Sequence, residues 1–252
     1  MKAVARLQTA ILTLALLLPF GVPLPSEALE LDRRRMLSAK EHEPWKGIGR
    51  VNVASRSEKG HCTGTLIGED LVVTAAHCVF SNVSGRQYAP GNVTFVAGWR
   101  LGQKVAYRKA SRIVVHPGYN HLAELTLQKM GTDLAIILLE SPIPSEVAPH
   151  FQFGQLNEGT KPLTLLSYRR DRAHALTKQE GCELSGVDGP LMMMHCDVTF
   201  GASGSPVFAR IGGEDRIVAV ISSKGRDQQA RKPLAFAVRA DLVIPSLLPG
   251  LN

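Results

Sequence analysis

Hydrophobic residues are grouped along the chain into short runs, and most runs are separated by glycine, proline, asparagine or aspartate. Several short runs of this kind, rich in valine, isoleucine and threonine, are typical of antiparallel β-strands. About a dozen strands are predicted, at residues 48–54, 63–67, 71–74, 93–99, 110–115, 133–139, 162–168, 175–184, 191–196, 205–210, 216–222 and 234–238. Long helical periodicity is nearly absent. The exception is a short C-terminal helix over residues 242–248, which Pro245 limits.

The chain has 252 residues, of which 44% are hydrophobic and 20% charged, and this is enough for one large domain or two small ones. The sequence contains no internal repeat and no long low-complexity linker, so one unit of two halves is predicted. Pro142, Pro144 and Pro149 cluster within residues 141–160, and we expect the halves to divide there. The folded domain is predicted to cover residues 47–252.

Residues 1–28 are predicted to be a secretory signal peptide. Lys2 and Arg6 give a positive start, residues 10–18 form an apolar run, and residues 26–28 include the small side chains that a signal peptidase requires. The apolar run is too short to span a bilayer, so no stable membrane anchor is expected after the signal is removed. A secreted or periplasmic location follows. The alternative is a buried N-terminal helix.

The segment at residues 29–46 is polar and of mixed charge. Its three consecutive arginines, residues 33–35, are a candidate processing site at which a short pro-segment is removed. A flexible polar tail is the interpretation that we favour from the composition.

Basic residues exceed acidic ones along the chain, with 29 lysines and arginines against 22 aspartates and glutamates. The basic clusters are short and far apart in sequence, which is typical of solvated loops. Nothing resembles a nucleic-acid-binding motif, so no nucleic-acid partner is expected.

Four cysteines in a secreted chain can pair in three ways. The pairs Cys62–Cys78 and Cys182–Cys196 are preferred because each joins two neighbouring strand-like segments. No spacing typical of a metal site is present, so we expect no metal and no cofactor.

The stretch at residues 197–206 combines a serine with small, flexible neighbours. A serine hydroxyl such as that of Ser203 becomes a nucleophile only beside a base and near N–H groups that bind the oxyanion. Gly201 leaves room for an approaching carbonyl and permits the backbone angles that direct two N–H groups to one point. The alternative is a glycine- and serine-rich surface turn.

Two further residues have the chemistry that such a serine requires. His77 follows an apolar strand and precedes Cys78, so it is a candidate base. Asp133 opens the next apolar run and is a candidate carboxylate that accepts the histidine proton and fixes its tautomer. The alternatives are a structural histidine and a capping aspartate.

These segments resemble the signature segments of trypsin-like (chymotrypsin-fold) serine proteases. Residues 75–78, 133–135 and 201–206 match in type and in order, and residues 62–66 and 112–119 resemble further stretches of the family. The resemblance covers about residues 48–248. The Gly-Ser-Pro that follows Ser203 is closer to the bacterial glutamyl-endopeptidase-like (V8-like) branch than to digestive trypsins.

The resemblance implies two six-stranded antiparallel β-barrels with the active site between them. Ser203 would be the nucleophile, His77 the general base and then acid, and Asp133 the orienting carboxylate, while the N–H groups of Gly201 and Ser203 would form the oxyanion hole. The implied function is a secreted serine endopeptidase that hydrolyses protein or peptide substrates through an acyl-enzyme intermediate. We expect it to be a monomer.

Two departures from the family concern activation and specificity. Many members have, directly before the nucleophile, an aspartate that pairs with a new N-terminal ammonium. Ala202 cannot do so, and we expect no ion-pair activation. Asp197 lies where trypsins have the acidic base of the P1 pocket, which would favour lysine or arginine before the scissile bond; the alternative is an aspartate with a structural role, as related bacterial sequences often have near here. The predicted pocket wall includes Ser222, Ser223 and Lys224. The absence of a histidine near Ile221 argues against strict glutamyl specificity.

Two other function classes remain open from the sequence. One is a catalytically silent binding protein with a protease fold. The other is an α/β-hydrolase esterase, which would need Gly-x-Ser-x-Gly around the nucleophile and the chain order Ser, Asp, His. Residue 205 is a serine and the order here is reversed, which disfavours the esterase.

Overall fold

The computed structural model describes residues 34–55, 58–157 and 162–251, so the predicted signal peptide lies outside the described residues. In these ranges the chain forms thirteen strands and three short α-helices, α1 to α3. The strands are β1 Arg34–Met36, β2 Ile48–Ala54, β3 Lys59–Leu66, β4 Leu71–Thr74, β5 Val93–Ala97, β6 Ala106–Val115, β7 Ala135–Leu139, β8 Leu163–Ser167, β9 Thr177–Asp188, β10 Leu191–His195, β11 Pro206–Ile211, β12 Glu214–Asp227 and β13 Lys232–Arg239. The helices are α1 Ala39–His42, α2 Leu127–Gly131 and α3 Ala240–Leu247.

The first half of the chain closes into an antiparallel barrel in the order β2-β3-β4-β7-β6-β5. Side chains on successive strand residues point to opposite faces, so every second apolar residue turns inward. The interior contains fully buried side chains from these strands, among them Val51, Leu66, Val72, Phe95 and Ile137.

The second half closes in the order β8-β9-β10-β13-β12-β11, and the pairing of β8 with both β9 and β11 completes the barrel. Its interior includes Leu165, Val207 and Ala237 together with Met192 and Met194, which are fully buried as packing residues of β10. Two closed six-stranded barrels confirm the predicted all-β fold.

A third cluster of buried side chains includes residues of both barrels and of α3, among them Leu134, Tyr168, Phe208 and Ile244. The predicted C-terminal helix is confirmed as α3, which contains Pro245. In the described ranges, no helix is long and apolar enough to cross a membrane.

Residues 34–46, predicted as part of a flexible tail, instead pack on the second barrel. Strand β1 pairs antiparallel with β9, and the N–H of the buried Leu37 donates to Leu176 O at 2.9 Å. Ser38 and Glu41 then form a reciprocal capping box that starts α1, and His42 is buried. The polar composition did not predict this packing. The packing depends on a few residues, and each of them has a partner that is distant in sequence.

Candidate active site

The pairing of two strands brings His77 beside Asp133. His77 lies in a 3-10 turn, Ala76–Val79, directly after β4, and Asp133 lies just before β7. Because β4 and β7 pair antiparallel with Thr74 opposite Ala135, the end of one strand meets the start of the other. Two apolar strands of the first barrel thus fix the histidine and the aspartate together.

The Asp133 carboxylate is buried and accepts three hydrogen bonds. His77 Nδ1 lies 2.7 Å from Oδ2, and the His77 backbone N–H donates to Oδ1 at 2.8 Å. The Ser222 hydroxyl, from β12 of the second barrel, donates to Oδ2 at 2.6 Å. With the proton on Nδ1, the lone pair of the imidazole is on Nε2, which is the arrangement that a general base needs.

The two partners shift each other's pKa in opposite directions. Burial alone lowers the pKa of His77, but the negative charge and hydrogen bond of Asp133 outweigh it, so the pKa of His77 lies above its ordinary value of 6.5. Burial likewise opposes ionisation of Asp133, yet His77 and the Ser222 hydroxyl hold the pKa of that carboxyl below its usual range. The aspartate is therefore ionised at neutral pH and stabilises the imidazolium.

Ser203 lies in a turn just before β11, and the turn is fastened to the first barrel. Thr63 of β3 donates its N–H to Ser203 O and its hydroxyl to Gly201 O, each at 2.9 Å. Gly204 N–H donates to Ile221 O of β12 at 2.7 Å. The serine is thus held between elements of both barrels.

Two backbone N–H groups of this turn are not used by the protein itself. Ala202, Gly204 and Ser205 donate theirs to carbonyls, whereas in the described part of the chain Gly201 and Ser203 donate none. Gly201 has φ +86°, and a Cβ built on it would lie 2.4 Å from Tyr168 O, so only glycine fits there. This geometry is suited to binding an oxyanion.

One cleft of about 600 Å³ contains the three predicted catalytic residues and three of the four predicted substrate-binding residues. It is lined by His77, Asp133, Ser203, Ser222, Ser223 and Lys224, and also by Asn82, Tyr119, His121, Leu125, Lys129, Met130, Val198, Thr199, Phe200 and Ile221. Among the described residues no hydrogen bond joins the Ser203 hydroxyl to His77, whose Nε2 lies 3.8 Å from the Cys78 sulfur. Catalytic hydrogen bonds are often long without substrate and shorten when it binds.

Asp197 is not among the residues that line this cleft. It lines a smaller neighbouring hollow of about 380 Å³, and its carboxylate forms ion pairs with Arg34 and Arg169. Lys224 lines both cavities, whereas Ser222 and Ser223 line only the cleft, so the structure does not bring Asp197 together with these two predicted substrate contacts.

Sequence reasoning missed an exposed aromatic residue at the cleft. The Phe200 side chain is 60% exposed, with the Arg170 guanidinium 4.7 Å and the Lys224 ammonium 4.8 Å from its ring centroid. A large apolar residue next to Gly201 was the available signal. Sequence reasoning also missed the side of the cleft that is lined by residues of the loop before α2 and of α2 itself, among them His121 and Lys129. The position of this segment depends on tertiary packing.

Both preferred disulfides are present and flank the site. Cys62–Cys78 links β3 to the His77 turn, and Cys182–Cys196 links β9 to the segment that begins at Asp197. The Cys62 and Cys78 sulfurs lie near His77, but as a disulfide they offer no thiolate to a metal.

Comparison with known proteins identifies a family and several relatives to which the chain is similar. The family model described as Trypsin matches residues 38–190, more than half of the chain. Human kallikrein-7 is 30% identical over 149 residues, covering 54% of each chain. Glutamyl endopeptidase of Bacillus licheniformis is 28% identical over 182 residues, covering 70% of this chain and 52% of that protein. The chain thus spans about half the length of these curated relatives.

A solved structure of a Glu endopeptidase in complex with MPD superposes with a TM-score of 0.69 at 18% identity. The superposition covers 87% of this chain and 97% of that one. At this identity the similarity concerns the fold, which it shares over nearly the whole described domain.

Proposed function

Because the chain belongs to the trypsin family, we propose that it is a serine endopeptidase in which Ser203 is the nucleophile, His77 the general base and Asp133 the orienting carboxylate. The observation that carries the proposal is the joint geometry of the cleft. A histidine fixed by a buried aspartate at 2.7 Å and a serine beside two free N–H groups line the same space. Such a constellation contains the nucleophile, base, orienting carboxylate and oxyanion donors that acyl transfer to serine can use.

In the proposed reaction, Ser203 Oγ attacks the scissile carbonyl while His77 Nε2 accepts the hydroxyl proton. The N–H groups of Gly201 and Ser203 bind the oxyanion of the tetrahedral intermediate. His77 then gives the proton to the leaving amine, the C–N bond breaks and an acyl-enzyme remains. Water, deprotonated by His77, hydrolyses the ester and restores the serine.

The charges around the cleft support an acidic residue before the scissile bond better than a basic one. The carboxylate that lines the cleft, Asp133, is buried and engaged, whereas Lys129 and Lys224 contribute positive charge. Asp197 is paired with two arginines and lies outside the lining. The name of the bacillary relative, a glutamyl endopeptidase, agrees with this assignment. A library of peptides with varied P1 residues tests it, and cleavage after lysine or arginine contradicts it.

We also propose that the protein acts outside the cell or in the periplasm on protein or peptide substrates. Two disulfides beside the site support an oxidising compartment, and the predicted signal peptide agrees with it.

The decisive experiment is labelling of the purified protein with a fluorophosphonate, which reacts only with an activated serine. Ser203→Ala should abolish labelling. Ser205→Ala is the matched control, because that serine is two residues away with a buried hydroxyl that has no hydrogen-bond partner. We expect the parent and Ser205→Ala to label equally. A folded parent that does not label would support the alternative, a protease-fold binding protein.

A further inference from the structure

Strand β1 delivers the Arg34 side chain to the Asp197 carboxylate, 163 residues away in sequence. The pairing of β1 with β9, with Arg34 opposite Gln179, sets the position of the strand. Arg172 Nη1 also donates to the Arg34 carbonyl at 2.7 Å. Strand pairing and the hydrogen bond from Arg172 therefore hold the backbone of Arg34 in place, in addition to the ion pair that its own side chain forms.

The ion pair belongs to a small network with a buried centre. The Arg169 side chain is 5% exposed, donates to Asp197 O at 2.8 Å and contacts Asp197 Oδ2 at 3.4 Å. Its Nε donates to Asp171 Oδ1 at 3.1 Å. Two arginines thus face two carboxylates. Without Arg34, the Asp197 carboxylate would keep only the long contact to Arg169 within this network.

The network adjoins the segment that carries the oxyanion donors. Asp197 directly precedes Val198–Phe200, which line the cleft, and Gly201 follows them. Arg170 N–H donates to Phe200 O at 2.7 Å, and Tyr168 O lies against the Cα of Gly201. The segment is therefore held from residues 168–170 near its end, and from Arg34 and Arg169 at its start.

We propose that Arg34 is a positioning residue of the catalytic site, which acts through Asp197 to fix the cleft wall and the N–H donors of Gly201 and Ser203. The inference rests on the proposed function. It has a consequence for processing: the fully active protein retains Arg34, so cleavage after Arg35 lowers activity about 10-fold rather than activating the enzyme.

The test compares Arg34→Gln with Arg35→Gln. Arg35 lies next on the same strand, and its ion pair with Glu41 is on the surface, with side chains 45% and 42% exposed. We measure the rate constant of fluorophosphonate labelling at 25 °C and kcat and KM on a cleaved peptide, after circular dichroism has confirmed folding. Arg34→Gln should lower labelling and kcat about 10-fold, because small displacements of a catalytic group are costly. Arg35→Gln should match the parent.

Three further variants separate positioning from general stability. Arg34→Lys keeps the charge and should recover most of the labelling rate. Asp197→Asn should lose as much as Arg34→Gln, and the double variant should lose no more than either, since both remove one contact. A chain that starts at Met36 should behave as Arg34→Gln. If Arg34→Gln does not fold, Asp197→Asn tests the same contact.

The outcomes distinguish the inference from the proposed function. If Arg34→Gln lowers the melting temperature but labels at the rate of the parent and of Arg35→Gln, Arg34 is only structural and the inference is wrong. A chain that starts at Met36 and labels at the rate of the parent also overturns it. If the folded parent itself does not label, the proposed function fails, and the inference fails with it.

Discussion

A single methyl group at residue 201 tests whether the site depends on a backbone that only glycine can adopt. In Gly201→Ala the new Cβ would lie 2.4 Å from Tyr168 O, 2.8 Å from His61 Nε2 and 3.1 Å from Arg170 N. Two of these atoms belong to the backbone and cannot rotate away. An ordinary contact begins near 3.4 Å, so the turn must move by about 1 Å.

The expected effect of Gly201→Ala has two parts. A non-glycine residue at φ +86° costs about 1–2 kcal/mol of stability, and crowding adds to this cost. The displacement moves an oxyanion donor, and the loss of one such donor lowers turnover by about 10²–10³-fold. We therefore expect fluorophosphonate labelling of the folded variant to be at least about 10²-fold slower than that of the parent.

A second glycine separates crowding from backbone strain. Gly213, in the hairpin between β11 and β12, has φ +84°, and a Cβ there would meet no atom within 4 Å. Gly213→Ala should lose a similar 1–2 kcal/mol, roughly, from strain alone and should label at the parental rate. Labelling of folded Gly201→Ala at the rate of Gly213→Ala would refute the argument that the close approach at residue 201 positions the donors.

Two further predictions concern titrating histidines. Labelling should slow as the pH falls through the pKa of His77, which lies above 6.5, and Asp133→Asn should lower the rate about 10⁴-fold by favouring the wrong tautomer. A pH–rate profile without this acid limb, or a fully active Asn variant, would contradict the assignment. Burial, with the nearby Arg100, lowers the pKa of His42 to about 4, so the unfolded chain binds its proton first as the pH falls. The contribution of the buried, neutral His42 to the free energy of unfolding is complete above about pH 6.5. It is lost as the pH falls to 4, and the loss is about 3 kcal/mol. Urea unfolding at several pH values should therefore show a smaller acid loss in His42→Gln than in the parent, and equal losses would disprove it.

A strand could be predicted from the sequence where its side chains are buried in a barrel, because its residues then form an apolar run. The predicted strand at 48–54 coincides with β2, whereas the run at 216–222 became the longer strand Glu214–Asp227. The added residues of β12 are mostly polar. Residues 214–215 pair with β11 and residues 223–227 pair with β13, so backbone pairing rather than hydrophobic burial defines them. The predicted run at 133–139 begins as a strand only at Ala135, because Asp133 lies in the turn before β7.

The side-chain direction of Asp197 could not be read from local sequence. Counting back from Ser203 predicts an acidic pocket base, and the sequence has no lysine or arginine within ten residues of Asp197. Its ionic partners, Arg34 and Arg169, are 163 and 28 residues away. Only the tertiary pairing of β1 with β9 brings the first of them to the carboxylate. The short motifs therefore identified the reacting groups, while the environment that decides specificity comes from distant contacts.

The relative position of the candidate nucleophile and base depends on Thr63, which no motif identified. It is fully buried in β3, where a threonine indicates only a preference for strands. Its N–H and hydroxyl donate to the Ser203 and Gly201 carbonyls, and its own carbonyl accepts from Thr74, the last residue of the strand that leads to His77. Its hydroxyl also accepts the N–H of Tyr168, the residue that follows β8. One residue of the first barrel thus bonds directly to the turn that carries the serine and to the strand that delivers the histidine. Because buried polar groups are costly to leave unpaired, a displacement of one barrel relative to the other would break several of these hydrogen bonds together.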